Sequence, residues 1–172
     1  MSVIKAYKNL NASNRFLVNF PLWLLFLFGV FYWGKYWSYS PIGEYLDSTI
    51  RASIMPILDT FLDNPIIDYD IVINPKYRVV ITPECNGIIP YLMILSAILA
   101  YPCKITQKIV WAILSFFIFF IINIIRLYIV AIVVSKYGTN WFYLIHDIGG
   151  NLLLIITGAT IFLLYLKRCN VS

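Results

Sequence analysis

Charged side chains are scarce in this sequence. Only 12% of its 172 residues are charged, while 61% are hydrophobic, and the mean hydropathy is +0.82. A soluble domain carries about 25% charged residues. The deficit excludes an ordinary soluble protein and indicates an integral membrane protein, predicted to form a single membrane domain over residues 1–172.

Histidine and cysteine are also rare, with one histidine and three cysteines. A zinc site takes three or four ligands, so one imidazole argues against a metal centre, and no cofactor is expected. Cys85, Cys103 and Cys169 form no C-x-x-C pair, and the topology below places the last two at the opposite membrane face from Cys85. We therefore do not expect a disulfide and interpret Cys103 and Cys169 as incidental thiols.

Acidic residues are fewer than basic ones, 8 against 13, which gives a net charge of +5. Many basic residues flank apolar runs, so they indicate membrane orientation and not a nucleic-acid partner. With four spans, one face would carry Lys5, Lys8, Arg15, Lys104, Lys108, Lys167 and Arg168. The positive-inside rule makes that face cytoplasmic, with both termini inside.

Four apolar runs are long enough to be spanning helices, since about 20 residues cross a hydrocarbon layer of ~30 Å. They cover residues 16–37, 87–103, 109–135 and 148–166. No small-residue cleavage site follows the first run, which we interpret as a retained helix and not a signal peptide. The third run would measure about 40 Å as a helix, so it must tilt, protrude or bend.

Two extramembrane elements are predicted between the first and second runs. Apolar residues at helical spacing over 41–63 predict an amphipathic helix on the membrane or the bundle. The β-branched residues of 66–82, around Asn74-Pro75-Lys76, predict a short β-hairpin. The predicted fold is all-α and membrane-integral, with about four transmembrane helices, this outer helix and the hairpin. It divides into an N-terminal span (1–37), an extracytoplasmic part (38–84) and a three-helix core (85–172).

Three polar residues of that core are predicted to lie at one depth. Cys85 is nineteen positions from Lys104, Arg126 eighteen from Lys108, and His146 twenty-one from Lys167. At 1.5 Å per residue these separations are roughly 28, 27 and 32 Å, all near the outer boundary of the hydrocarbon.

Each of the three residues has a structural and a functional interpretation. Arg126 in an apolar run costs a few kcal/mol, and it either snorkels to headgroups or, with Asn123 on the same helical face, belongs to a polar stripe facing the bundle interior. His146 is the single histidine and could be structural. Beside a cation and an imidazole, Cys85 becomes a candidate nucleophile for acyl transfer.

At these positions the sequence resembles the exosortase/archaeosortase family of membrane-embedded, sortase-like cysteine transpeptidases. The resemblance covers about residues 83–166 and depends on Glu84-Cys85-Asn86-Gly87, on Asn123-Ile124-Ile125-Arg126, and on His146. It implies that Cys85 is the nucleophile and that Arg126 and His146 are the essential arginine and histidine. Asn86 and Asn123 are possible supporting amide donors, although packing or capping also explains them.

The resemblance implies an enzyme that cleaves the C-terminal sorting signals of secreted proteins and transfers them to an unknown acceptor. The expected partners are such proteins, each with its own hydrophobic C-terminal helix, and the lipid bilayer. The expected location is a prokaryotic cytoplasmic membrane, crossed several times, with the active site on the extracytoplasmic side. Alternatives are a non-enzymatic scaffold or lipid-binding subunit and, second, a transporter or channel.

Overall fold

The computed structural model describes residues 10–33, 40–62, 66–67, 70–74, 77–80 and 85–171. Most of these residues are helical. The helices are α1 (Ala12–Phe31), α2 (Pro41–Leu62), α3 (Ile88–Ala100), α4 (Ile105–Tyr137) and α5 (Gly150–Val171). A 3₁₀ turn (Thr139–Trp141) and a π-helical segment (Tyr143–Gly149) join α4 to α5, and strands β1 (Ile66–Ile67), β2 (Asp70–Asn74) and β3 (Tyr77–Val80) lie between α2 and α3.

Three stretches in the described residues are long and apolar enough to cross a membrane. They are Ala12–Phe31, Ile105–Tyr137 and Thr139–Cys169. The run predicted as a span over 87–103 forms α3, a helix of 13 residues. Its length is only about 20 Å, so the predicted count of four spans is not confirmed.

Helix α4 is continuous over 33 residues, about 50 Å at 1.5 Å per residue. It therefore exceeds the thickness of the hydrocarbon layer without a break at Asn123 or Arg126. One uninterrupted helix carries both polar residues at three-residue spacing, so they lie on the same face.

The predicted amphipathic helix matches α2, which rests on the bundle. Ile50, Ile54 and Met55 are buried in one core with residues of α3 and α4, while Ile42 and Tyr45 are exposed. The same buried face carries Asp47, which contacts Asn86 just before the start of α3.

The three strands form one antiparallel sheet in the order β1-β2-β3. In β2 and β3, Ile71 pairs with Val79 and Val72 with Arg78. The hairpin predicted over 66–82 falls on these strands, and residues 68–69, 75–76 and 81–82 lie outside the described residues.

Helix α3 occupies the centre of the bundle, in contact with α1, α4 and α5. Its residues contribute to two apolar cores. One core contains Ile88 and Leu92 together with Cys85. The other contains Ile94 and Ile98 together with Tyr165 of α5. Tyr165 is fully buried and donates its hydroxyl to the Ile98 carbonyl at 3.0 Å.

The expectation that the cysteines form no disulfide is wrong. Cys103 and Cys169 are bonded, with their Cα atoms 5.6 Å apart. The absence of C-x-x-C spacing excludes only local pairs. Cys103 follows the end of α3 and Cys169 lies near the end of α5, and the packing of α3 against α5 brings these two ends together.

Candidate active site

Cys85 lies in a tight turn that leads directly into α3. Gly87 caps the helix with φ +83°, and a Cβ there would approach Asn123 Cγ to 3.1 Å. The backbone N–H of Ile88 donates to Asn86 Oδ1 at 2.9 Å, which satisfies one of the unpaired donors at the helix start. Asn123 Nδ2 donates to the Cys85 carbonyl at 2.9 Å, so α4 holds the turn from its other side.

His146 lies in the π-helical segment that precedes α5. The Gly150 N–H bonds to the Ile145 carbonyl five residues earlier, the pattern of a π-turn, and such turns occur frequently at functional sites. The Phe142 ring stacks on the imidazole with centroids 4.8 Å apart and planes 10° apart. This stacking restrains the plane of the imidazole ring.

The thiol of Cys85 and the imidazole of His146 are within hydrogen-bonding distance. Cys85 Sγ lies 3.2 Å from His146 Nε2, and Cys85 is only 8% exposed. On the other side of the ring, His146 Nδ1 lies 2.7 Å from Asp147 Oδ1. A carboxylate accepts but does not donate, so Nδ1 carries the proton and Nε2 has its lone pair available to the thiol.

Arg126 is 4% exposed and contacts the same imidazole. Its Nη2 lies 3.2 Å from His146 Nε2 and 3.4 Å from the His146 carbonyl, and its Nη1 donates to Asn123 Oδ1 at 3.3 Å. The buried Nε has no hydrogen-bond partner in the described part of the chain. This arginine is buried in the bundle interior, as the polar-stripe interpretation predicts.

Gly150 provides the space that the guanidinium occupies. A Cβ on Gly150 would clash with Arg126 Nε and would lie 3.0 Å from its Cδ. The close approach of α5 to α4 at this level therefore depends on a residue without a side chain.

The geometry allows two protonation states of the cluster. Neutral Nε2 has one lone pair, so it accepts from the thiol or from Arg126, but not from both. Once Nε2 has taken the thiol proton, it donates to the thiolate, and Arg126 retains its bonds to the His146 carbonyl and to Asn123. The positive charge of the guanidinium then stabilises the thiolate, although Arg126 can no longer donate to Nε2.

The structure thus brings Cys85, Arg126 and His146 together. The two asparagines lie beside them in structural roles. Asn123 donates to the Cys85 carbonyl, and Asn86 accepts from Ile88 N–H and donates to a carboxylate of α2. Both side-chain amides are therefore engaged with the protein, as capping or packing predicts.

Two further residues of the site are absent from the sequence-based prediction, Asp147 and Asp47. Asp147 is adjacent to the single histidine, a signal that the sequence does contain. Asp47 of α2 is 2% exposed and accepts a hydrogen bond from Asn86 Nδ2. It is one of several carboxylates along an amphipathic helix, and the sequence has no feature that distinguishes it from the others.

Metal ligation has no geometric support in the part of the chain that the structure describes. No three histidine, cysteine or acidic side chains there are grouped so that they could hold a metal ion. The polar cluster is instead a network of a thiol, an imidazole, a guanidinium, a carboxylate and amides.

An apolar groove of about 710 Å³ lies between α1, α3 and α5. Its lining includes Phe16, Phe20, Ile89, Met93, Asn151 and Ile155. Ile89 is four residues after Cys85 and Asn151 is five after His146, so the groove is lined by residues that closely follow the thiol and the imidazole in sequence. Met93 is 50% and Ile155 67% exposed, so the walls of the groove are open to the surroundings of the bundle.

The fold and the site define a membrane protein with a buried cysteine-histidine pair backed by an arginine. The family model described as transmembrane exosortase (Exosortase_EpsH) matches residues 10–164. The chain belongs to this family. No curated protein and no solved structure matches it.

Proposed function

We propose that this protein is a cysteine transpeptidase or endopeptidase that cleaves C-terminal sorting signals of secreted proteins at the outer side of the prokaryotic cytoplasmic membrane. Membership of the transmembrane exosortase family supports a membrane transpeptidase. The observation that carries the proposal is the 3.2 Å contact between Cys85 Sγ and His146 Nε2. In covalent catalysis the nucleophile usually lies within hydrogen-bonding reach of a base, and a third group orients that base.

In the first half-reaction, His146 Nε2 takes the proton of Cys85, and the thiolate attacks the carbonyl carbon of the scissile peptide bond. Arg126 stabilises the negative charge on the thiolate and then on the tetrahedral oxyanion. The C–N bond breaks as His146 returns its proton to the departing amine. The products are a thioester on Cys85 and a released C-terminal tail.

In the second half-reaction, an acceptor amine, hydroxyl or water attacks the thioester. His146 takes the acceptor proton, the C–S bond breaks, and the proton passes to the sulfur to restore the thiol. The atoms balance without a metal or redox partner.

The groove beside the site supports a substrate that is itself in the membrane. A spanning helix is about 30 Å long and 10–12 Å wide, so its volume is several times larger than the groove of about 710 Å³. One face of a substrate helix would fit there, with the remainder in lipid. Confinement at one end of the groove would then align the scissile bond with Cys85.

Replacing the nucleophile tests the proposal. In the host, Cys85→Ala should abolish the loss of the C-terminal tail from a secreted protein that ends in an apolar helix and a basic segment, lowering the rate at least ~1000-fold. Ser135→Ala is the matched control, because Ser135 is exposed on α4 and its hydroxyl donates to the Ile132 carbonyl of the same helix. Tail removal at the normal rate in Cys85→Ala would refute the nucleophile assignment.

The second candidate is a non-enzymatic scaffold or lipid-binding subunit, and the apolar lining of the groove is the observation that favours it. An acyl chain would fit a groove of this size, which lies within the range of small-molecule sites. Under this alternative, Cys85→Ala would leave the processing of every secreted protein unchanged, so the same experiment separates the two functions.

A further inference from the structure

Asp47 is a buried carboxylate on the face of α2 that packs against the bundle, the face that also carries Ile50 and Ile54. It is 2% exposed, whereas Ile42 and Tyr45 of the same helix are 58% and 76% exposed. Burying a carboxylate is costly unless it is paired and hydrogen-bonded. The partners of Asp47 therefore indicate what stabilises it.

The first partner is Arg51, one turn further along α2. Arg51 Nε donates to Asp47 Oδ2 at 2.8 Å. This ion pair offsets the charge, but both of its members belong to α2. It therefore gives no reason for the carboxylate to face the bundle.

The second partner is Asn86, the residue that follows Cys85. Its Nδ2 donates to Asp47 Oδ1, and this bond leaves Asn86 Oδ1 directed at the Ile88 N–H, 2.9 Å away. An asparagine amide can rotate by 180°, which would exchange its oxygen and nitrogen. The carboxylate acceptor fixes the orientation that caps α3.

The turn that bears the nucleophile is consequently held from two helices. Asp47 of α2 holds Asn86, and Asn123 of α4 holds the carbonyl of Cys85 at 2.9 Å. Asn123 also accepts from Arg126. Asn123 is thus linked to the Cys-His-Arg cluster through Arg126, whereas Asp47 contacts the turn through Asn86.

We propose that Asp47 is a positioning residue for the nucleophile: it fixes the Asn86 amide and thereby the Cys85 turn against His146. The inference depends on the proposed function, in which Cys85 is an activated thiol. It makes α2 part of the reactive centre, since movement of α2 away from the bundle would release the turn.

The test measures the reactivity of Cys85 with iodoacetamide and needs no substrate. The full chain is reconstituted in lipid nanodiscs, and alkylation at neutral pH is followed by mass spectrometry of the peptide that contains Cys85. An ordinary thiol is only a few per cent thiolate at neutral pH. Loss of alignment with His146 should therefore slow alkylation about tenfold.

Four variants of the pair are compared with a control. Asp47→Ala should slow alkylation, Asn86→Ala should slow it at least as much because it also removes the cap on Ile88 N–H, and the double variant should be no slower than Asn86→Ala, because Asp47 acts through Asn86. The exchange of Asp47→Asn with Asn86→Asp should restore most of the rate, since the new carboxylate can still accept from Ile88 N–H and from the new amide. Glu44→Ala, which removes an exposed carboxylate of α2, should have no effect.

The outcomes separate the inference from the proposed function. A wild-type rate in Asp47→Ala would refute the positioning role, and so would a faster rate, because that would mean Asp47 only shields the buried thiol. Failure of the exchange variant to recover would also refute it. If His146→Ala leaves alkylation unchanged, the thiol is not activated and the proposed function itself fails.

Discussion

At the scale of single residues, the site is organised around one imidazole. His146 meets Cys85 and Arg126 at Nε2 and Asp147 at Nδ1, and Phe142 stacks on its ring. Together these four neighbours restrain both the tautomer and the plane of the ring. This restraint is what a general acid and base needs, because it must present one nitrogen to the sulfur throughout the reaction.

Asp147 should therefore matter more than its exposure suggests. Its side chain is 44% exposed, yet Asp147→Asn removes the charged acceptor that holds the proton on Nδ1. We expect processing of a Cys85-dependent substrate to fall about tenfold, with kcat reduced and KM little changed, as for an orienting group that does not bind substrate.

Asp59→Asn is the matched control for this variant, because Asp59 is an exposed carboxylate of α2. Equal kcat values for Asp147→Asn and the wild type would mean that the adjacent carboxylate is a neighbour of His146 without a role in orienting it.

The sequence supports part of this residue-scale description. An arginine in an apolar run and a single histidine both point to an interior polar site, because burial of such groups must be compensated. The interaction of Asp47 with Asn86 joins residues 39 positions apart. It depends on how α2 rests on the bundle, which the amphipathic pattern does not determine.

At the scale of elements, the π-helical segment and Gly150 set the distance between α5 and α4. The segment Tyr143–Gly149 carries His146, and Gly150 begins α5 against the Arg126 side chain. Counting depth along ideal α-helices places His146 in the same layer as Arg126 and Cys85. Depth counting does not give the lateral positions of these residues. Those positions are determined by the packing of α3, α4 and α5.

Gly150→Ala should disrupt the cluster without a change of charge. The added Cβ would overlap Arg126 Nε, so the guanidinium must move away from His146. We expect processing to fall about 100-fold, comparable with a misplacement of about 1 Å in an active site. The measurement is the rate of tail removal at matched protein levels.

The neighbouring glycine provides the control. A Cβ on Gly149 would meet only the Leu144 carbonyl, at an ordinary 3.5 Å, so Gly149→Ala should retain near-normal processing. Equal losses in the two variants would indicate that the π-helical segment, and not the Arg126 contact, is sensitive to substitution.

At the scale of the whole molecule, the two ends of α3 differ in chemistry. Cys85 and the polar cluster lie before its first residue, and the Cys103–Cys169 disulfide lies beyond its last. Lys104, Lys167 and Arg168 are sequence neighbours of the disulfide. The sequence predicts that Cys103 and Cys169 lie at the opposite membrane face from Cys85, and the structure places the disulfide beyond the opposite end of α3. The pairing itself depends on the lateral arrangement of the helices, which composition and spacing do not encode.

Removing the disulfide should lower stability. The bond closes a loop with a sequence separation of 66, for which chain entropy predicts a contribution of about 4 kcal/mol at most, and typical values are about 2–4 kcal/mol. Cys103→Ser with Cys169→Ser should lower the Tm of the purified protein, measured in the same detergent by thermal unfolding.

Reductant supplies the internal control. It should lower the Tm of the wild type toward that of the double variant and leave the double variant unchanged. A wild-type Tm that is insensitive to reductant, with no disulfide-linked peptide in the mass spectrum, would show that the two thiols are not joined in the purified protein.

The disulfide also determines how many thiols the chain has available for reaction. Of three cysteines, two are consumed by each other, and Cys85 is the remaining thiol. A chain with one thiol has no second one with which to form an incorrect intramolecular bond, so oxidation of Cys85 must proceed through an outside molecule or along the path to sulfenic acid. Because the other two sulfurs are bonded to each other beyond the opposite end of α3, the fold leaves Cys85 no thiol within the chain with which to pair.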